Sequence, residues 1–432
     1  MRELEPLSLD RALRDAAREL ERRRRTGEPT EDALSESLRD EETLHWLREL
    51  KGKDPLAASL ERWLLRLREE AHFGTLRADL GHARRSEPHA IFEPERTLLP
   101  LAEMLRLALA RPRERAAYLR GYFASSSKLS ERVQRLWQDR QLFAEQLRAP
   151  LDSYEVASPA ITPSARALVA ETRAAFETLR VDGPAQLITT LLAESANEGW
   201  PARLSQRTTL DLLGDPTWLH GLRLRPFAVP EARGAGSFLL ALEQAGRALA
   251  DAADALRSPF VLATDVFDLR RHTLGALLGS LPLSPAFAAR RLGNGPSRVA
   301  DSLRVLARAS LANLRVAAFR VLLRDLLSGS TKRLLSELPE ISHAALGFEL
   351  EPSVVGVFIR VRPRDSQRLA GALLAASRYE RLLQTHDEDW FRNPRAITEL
   401  RAELSEPVLE LPGAGELAAG GRALMARIQA LL

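Results

Sequence analysis

Apolar residues recur at three- and four-residue steps through most of this chain, a period that confines it to packed helices. The cleanest instance is 237–250, SFLLALEQAGRALA, where Phe238, Leu242, Ala245 and Leu249 mark one face. Ser237, just after Gly234-Ala235-Gly236, reads as the N-cap of that helix. The same reasoning predicts helices over 7–25, 30–50, 55–80, 96–110, 112–148, 164–180, 185–197 and 207–213. Further ones are expected over 285–292, 297–327, 365–384, 394–404 and 415–431. The serines at 125–127 interrupt one helix and Ser164 caps another. SEPHAIFEPE (86–95) and ASPAITPS (157–164) read as connectors, and 223–237 is too rich in Pro and Gly for a helix. The passage 346–364 is ambiguous, since its β-branched alternation says strand and its setting between long helices says helix. The fold class expected is all-α.

At 432 residues the chain can bury a large core, and a division into an N-terminal helical region (1–220) and a second region (221–432) is expected. The net charge of +4 is spread over evenly mixed signs, which argues against a nucleic-acid binder. Almost all the positive charge is Arg, with Lys51, Lys53, Lys128 and Lys332 the only lysines; we read this as the mark of a GC-rich, bacterial genome. The run Arg22–Arg25 has no interleaved aromatics for base stacking and reads as the solvated end of a helix. With no cysteine, disulfides, thiolate metal sites and Cys nucleophiles are excluded. His45, His72, His82 and His89 fall at no metal-ligand spacing. The start, MRELEPLSLDRAL, has no apolar signal-peptide core, and no run of eighteen apolar residues exists, so a soluble cytoplasmic protein without membrane contact is expected.

On the 237–250 helix, Glu243 and Arg247 stand one turn apart in the order that favours a helical ion pair. Gly246 beside them costs about 1 kcal/mol against Ala in a helix interior. Close approach of a neighbouring element would justify it.

The segment Glu243-Gln244-Ala245-Gly246-Arg247-Ala248-Leu249 fits in frame the zinc-peptidase pattern H-E-x-G-H-A-L. His272-Thr273-Leu274-Gly275-Ala276-Leu277-Leu278 looks like the T-E-G-F-A-x-L helix of the same peptidases. Asp389, Trp390, Arg392, Asn393 and Pro394 match a D-W-W-R-N-P-x-A segment near their C-terminus. Region 221–432 thus resembles the zinc oligopeptidase family of thimet oligopeptidase and oligoendopeptidase F, with its carboxypeptidase-like relatives. The resemblance implies a two-lobed helical fold, neurolysin-like, around a central channel that admits extended peptides. It also places the ligands at 243, 247 and 274 and the general base at 244.

At those positions the chain has Glu243, Arg247, Leu274 and Gln244. A guanidinium cannot lose its proton to become a ligand, and an amide cannot accept one as a base. The late His and Tyr that would stabilise an oxyanion are also missing between His343 and Tyr379. The expectation is a degenerate pseudopeptidase that holds no metal or cofactor. It would bind a peptide or protein partner, or serve as a subunit of a complex, with Glu243, Arg247, Arg270 and Arg271 as the contact residues. The alternative is a hydrolase with a relocated site, for which the cluster His386, Asp387, Glu388 and Asp389, or His272 oriented by Asp268, would supply ligands or bases. Asp and Glu ahead of a helix at 394 are also ordinary capping residues.

Overall fold

The computed structural model describes residues 5–92, 97–193, 204–230, 234–254, 259–264, 266–292, 296–358, 364–404, 406 and 411–432. Expectations that fall on 194–203, 231–233 and 359–363 lie outside the described residues. The elements that frame the molecule are α1 (Pro6–Thr26), α2 (Ala57–Ser86), the strands β1 (Pro88–Phe92) and β2 (Thr97–Pro100), and α3 (Ser127–Gln146). They continue with α4 (Ala235–Asp254), α5 (Leu269–Gly279), α6 (Pro296–Leu327), α7 (Asp365–His386) and α8 (Ala414–Gln429), with shorter helices between. Apart from one hairpin, the described regular structure is helical, so the fold is all-α. No described helix is long and apolar enough to cross a membrane.

Local chemistry sets the ends of these elements. Pro6 occupies the first turn of α1, where its missing N–H is not needed. Arg23, Arg24 and Arg25 fill the last turn, and Gly27 closes it at φ 77°, donating its N–H to the Arg23 carbonyl. The arginine run is internally paired: Arg22 donates to Glu19 and Glu28, Arg23 to Glu19, and Arg25 to Glu21.

Several elements depart from the sequence reading. The helix expected over 30–50 is split into Glu31–Ala33, Glu36–Arg39 and Glu41–Leu50, because the Asp40 carboxylate accepts from the Glu42 N–H (3.0 Å) and caps the last piece. The expected connector 86–95 is part of an antiparallel hairpin in which Ile91 pairs with Leu98 and Phe92 with Thr97. Pro88 and Pro100 face each other at the end of that ladder, where a missing donor costs least. The helix predicted from 96 therefore starts only at Leu101. Serine does break 112–148, into Arg115–Ala124 and α3.

Ser164 is not a cap, because its helix begins at Ile161. Pro163 is tolerated in that first turn, and Ser158 Oγ accepts from the Ala160 N–H at 3.1 Å. Ser237 likewise lies inside α4, since the Gly234 carbonyl already accepts from Phe238 N–H (3.2 Å). The ambiguous stretch holds no strand among its described residues; Pro352–Val354 and Val355–Phe358 form helical turns. They dock on α3, where the Gly356 N–H donates to Ser130 Oγ at 2.7 Å. The unassigned stretch 328–345 contains a helix, Thr331–Leu346, despite Pro339 within it. Ser330 caps its start, and Gly347 at φ 83° closes its end.

Two apolar clusters fill the interior. The larger joins residues of both halves, Leu9, Leu13 and Trp63 with Leu306, Phe319 and Leu369 among them. The smaller gathers Trp218, Phe238, Leu274, Phe287, Trp390 and Phe391 around α4, α5 and the start of the 394–403 helix.

Candidate binding site

Four helices, α4, α5, α7 and α8, stack so that backbone meets backbone. A Cβ built on Gly246 of α4 would come within 2.6 Å of the Leu274 carbonyl oxygen on α5. One on Gly371 of α7 would meet the His272 backbone at 2.7 Å, and one on Gly420 of α8 the Leu373 carbonyl at 2.1 Å. These glycines carry the close approach that Gly246 led us to expect. Helix-interior glycine is unfavourable, and here the space it leaves is filled.

This stack fixes the residues that the sequence singled out. Arg247 donates to Glu243 Oε1, so the predicted ion pair forms. The other carboxylate oxygen accepts from Arg368 of α7 at 3.1 Å, and the same Arg368 nitrogen lies 3.2 Å from Asn313 Oδ1. All three charged side chains are only 10–12% exposed. A carboxylate bridged by two guanidiniums has both oxygens engaged and its charge offset.

Leu274 does not face the pair. It is fully buried in the smaller apolar cluster, and its neighbour Gly275 lies against Arg247, where a Cβ would stand 2.9 Å from Cγ. The turn between helices, not spacing along either one, decides which residue points inward. Arg368 has no local signal in the sequence, since it reaches Glu243 across 125 positions.

The pair sits between two cavities. One, of about 250 Å³, is lined by Gln244, Arg247, Asp251 and Arg271 from the helices and by Arg223 and Arg225 from the irregular segment before α4. The other, of about 90 Å³, is lined by Glu243 and Arg368 with small residues such as Gly279, Ala372 and Ala376. Arg271 lines this cleft, its Nε 3.1 Å from Asp251. Arg270 lines neither cavity; it is buried and donates to the carbonyls of Leu404 and Glu406 (both 2.9 Å) and of Ala263.

His272 is buried behind this cleft, and neither ring nitrogen has a hydrogen-bond partner among the described residues. Burial, reinforced by Arg247, Arg364 and Arg271 against Asp268, holds its imidazole well below the usual histidine range. Asp268 does not orient that ring. Its carboxylate is taken by Arg66 (3.0 Å) and Arg364 (3.4 Å), which outweigh its burial and hold it well below the usual range.

The other alternative cluster is similarly occupied. His386 Nε2 lies 2.8 Å from Glu399, and Asp389 pairs with Arg290. Asn393, not the acids before it, caps the 394–403 helix by accepting from Arg395 N–H at 3.0 Å. Trp390 and Phe391 are fully buried, and the Phe391 carbonyl accepts from Trp218 Nε1 at 2.9 Å. The D-W-F-R-N-P segment thus serves to plug the smaller core.

No protein-family model matches the chain, and no curated protein matches it. Among solved structures, it is similar to the carboxypeptidase of Pyrococcus furiosus, at 13% identity and a TM-score of 0.51, over 100% of this chain and 99% of that one. The chain shares the all-α fold of that structure. The M32 carboxypeptidase of Deinococcus radiodurans R1 also matches, at 14% identity and a TM-score of 0.47, over 90% of this chain and 88% of that one. The sequence resemblance pointed to thimet oligopeptidase and oligoendopeptidase F first and to carboxypeptidase-like relatives second; the structural likeness is to carboxypeptidases.

The positions that the resemblance assigns to a zinc ion do not fit one. They hold a carboxylate already bridged by two guanidiniums, an arginine and a buried leucine. Among the described residues, no three His, Asp or Glu side chains gather where they could hold a metal ion.

Proposed function

We propose that this protein is a non-catalytic, degenerate relative of the zinc peptidases, which binds a peptide or a segment of a protein partner in the cleft beside α4. The observation that carries this reading is the Glu243 carboxylate held between Arg247 and Arg368. Two protein cations stand where the peptidase chemistry would need one metal cation. Their charge holds the carboxylate without a metal, and Gln244 beside them cannot take a proton from water. What survives of the peptidase plan is an open cleft along the same helix.

The test is the zinc content of the purified protein by elemental mass spectrometry, before and after incubation with excess zinc and dialysis. Less than about a tenth of an equivalent is expected, because the one carboxylate at these positions is held by two guanidiniums and neither an arginine nor a leucine can ligate the metal. Stoichiometric zinc that survives dialysis overturns the reading.

A further inference from the structure

Among the described residues, four guanidiniums, of Arg223, Arg225, Arg247 and Arg271, line the larger cleft against one carboxylate, Asp251. Asp251 is already engaged by Arg271 at 3.1 Å. The partner of Arg247, Glu243, lines the other cavity instead. Arg225 reaches Glu21 only on the exposed rim, at 3.4 Å, where an ion pair contributes little. The wall is therefore cationic beyond its own acids, in a concave setting that concentrates the field. That field also reaches the buried His272, whose protonation Arg247 and Arg271 oppose.

We infer that the occupant of this cleft is a peptide segment bearing acidic side chains, whose carboxylates are read by Arg223, Arg225, Arg247 and Arg271. The inference rests on the peptide-binding reading above and adds the chemistry of the ligand. A guanidinium fork matches a carboxylate in a bidentate manner, which a neutral side chain cannot reproduce. Gln244 stands among them as a neutral donor and acceptor suited to a backbone amide. A volume of about 250 Å³ suits a short stretch of extended chain. Phe227 is the one aromatic side chain in the described lining, so successive bases of a nucleic acid would find no stacking platform.

The experiment is fluorescence anisotropy with a labelled decapeptide of alternating Glu and Ala, amidated at its C-terminus so that the ligand charge lies in side chains. Its Gln-for-Glu counterpart and a single-stranded oligonucleotide of matched charge serve as competitors. The Glu peptide is expected to bind at least about tenfold tighter than the Gln peptide, with affinity falling as salt rises. The double variant Arg223→Gln/Arg225→Gln changes only exposed residues on irregular backbone, and its fold is checked by circular dichroism. It is expected to lose about tenfold in affinity for the Glu peptide and little for the Gln peptide. Equal binding of the two peptides overturns the acidic preference and leaves peptide binding standing. Binding of neither overturns both readings. A preference for the oligonucleotide, or a double variant that binds the Glu peptide as the parent does, overturns the assignment of this cleft.

Discussion

Glu69 and Glu243 are each gripped by two arginines, and their settings differ. Glu69 of α2 accepts from Arg77 of the same helix and from Arg140 of α3 at 2.5 Å, and Arg140 also pairs with Glu155. Those side chains are 1–5% exposed and lie within the N-terminal packing, with Arg140 stacked on Trp137 at 4.5 Å. Glu243 has the same two-arginine grip, but cavities open on both sides of it. Identical pairing chemistry thus serves two ends. The Glu69 network borders only narrow cavities of about 30 and 10 Å³; its charges are spent on one another, and it fixes how α2 meets α3. Around Glu243 the arginines outnumber the acids, and the surplus faces a cleft.

Removing a member from each network separates the two cases. Arg140→Leu strands Glu155 away from water and leaves Glu69 with Arg77 alone, and is expected to cost about 3–5 kcal/mol in urea unfolding. Glu243→Leu leaves Arg247 and Arg368 beside cavities that water enters, so the expected cost is smaller, about 1–3 kcal/mol. Equal losses would mean that the Glu243 network is as sealed as the other.

The burial of His272, reinforced by the arginines near it, also has a pH signature. His272 is held neutral in the folded chain, whereas the unfolded chain takes up a proton near pH 6.5. Unfolding therefore binds protons as pH falls, and stability drops below about pH 6.5 by up to about 1.4 kcal/mol per pH unit. Urea midpoints measured from pH 7.5 to 5.5 should fall less steeply in His272→Gln; identical slopes would remove His272 as the source.

The helix spacing that positions the Glu243 network is tested by Gly246→Ala. The added methyl meets the Leu274 carbonyl at 2.6 Å, which opposes the gain in helix propensity; a net loss of about 1 kcal/mol is expected. A stabilised variant would show that α4 and α5 can separate freely. The smallest effect belongs to Arg22→Ala at the exposed end of α1, where no resolvable change in thermal midpoint is expected.

How far the sequence could be read follows the range of the interactions. The period of 237–250, 394–404 and 415–431 reports burial within one helix, and each of these helices forms. Glu243 and Arg247 are four residues apart, so their pairing was visible. Arg368 joins them from 125 positions away, and Arg140 finds Glu69 from 71, distances at which no local pattern exists. The resemblance puts a ligand position on Leu274; the rotation of α5 against α4 sets Gly275, not Leu274, against Arg247. The 88–100 hairpin was hidden for a different reason. Its three prolines signal a break in helix, but they do not say that the flanking residues pair.

The backbone contacts at Gly246, Gly371 and Gly420 have a mechanical consequence. Helices spaced by long side chains can slide past each other as rotamers change, which is how shear motions arise. Helices in backbone contact have no such lubricating layer, and α4, α5, α7 and α8 must travel as one slab. Any widening of the cleft to admit a guest then falls to its other wall, the irregular strap that bears Arg223 and Arg225. The groups that would greet an incoming chain ride on the part free to yield to it.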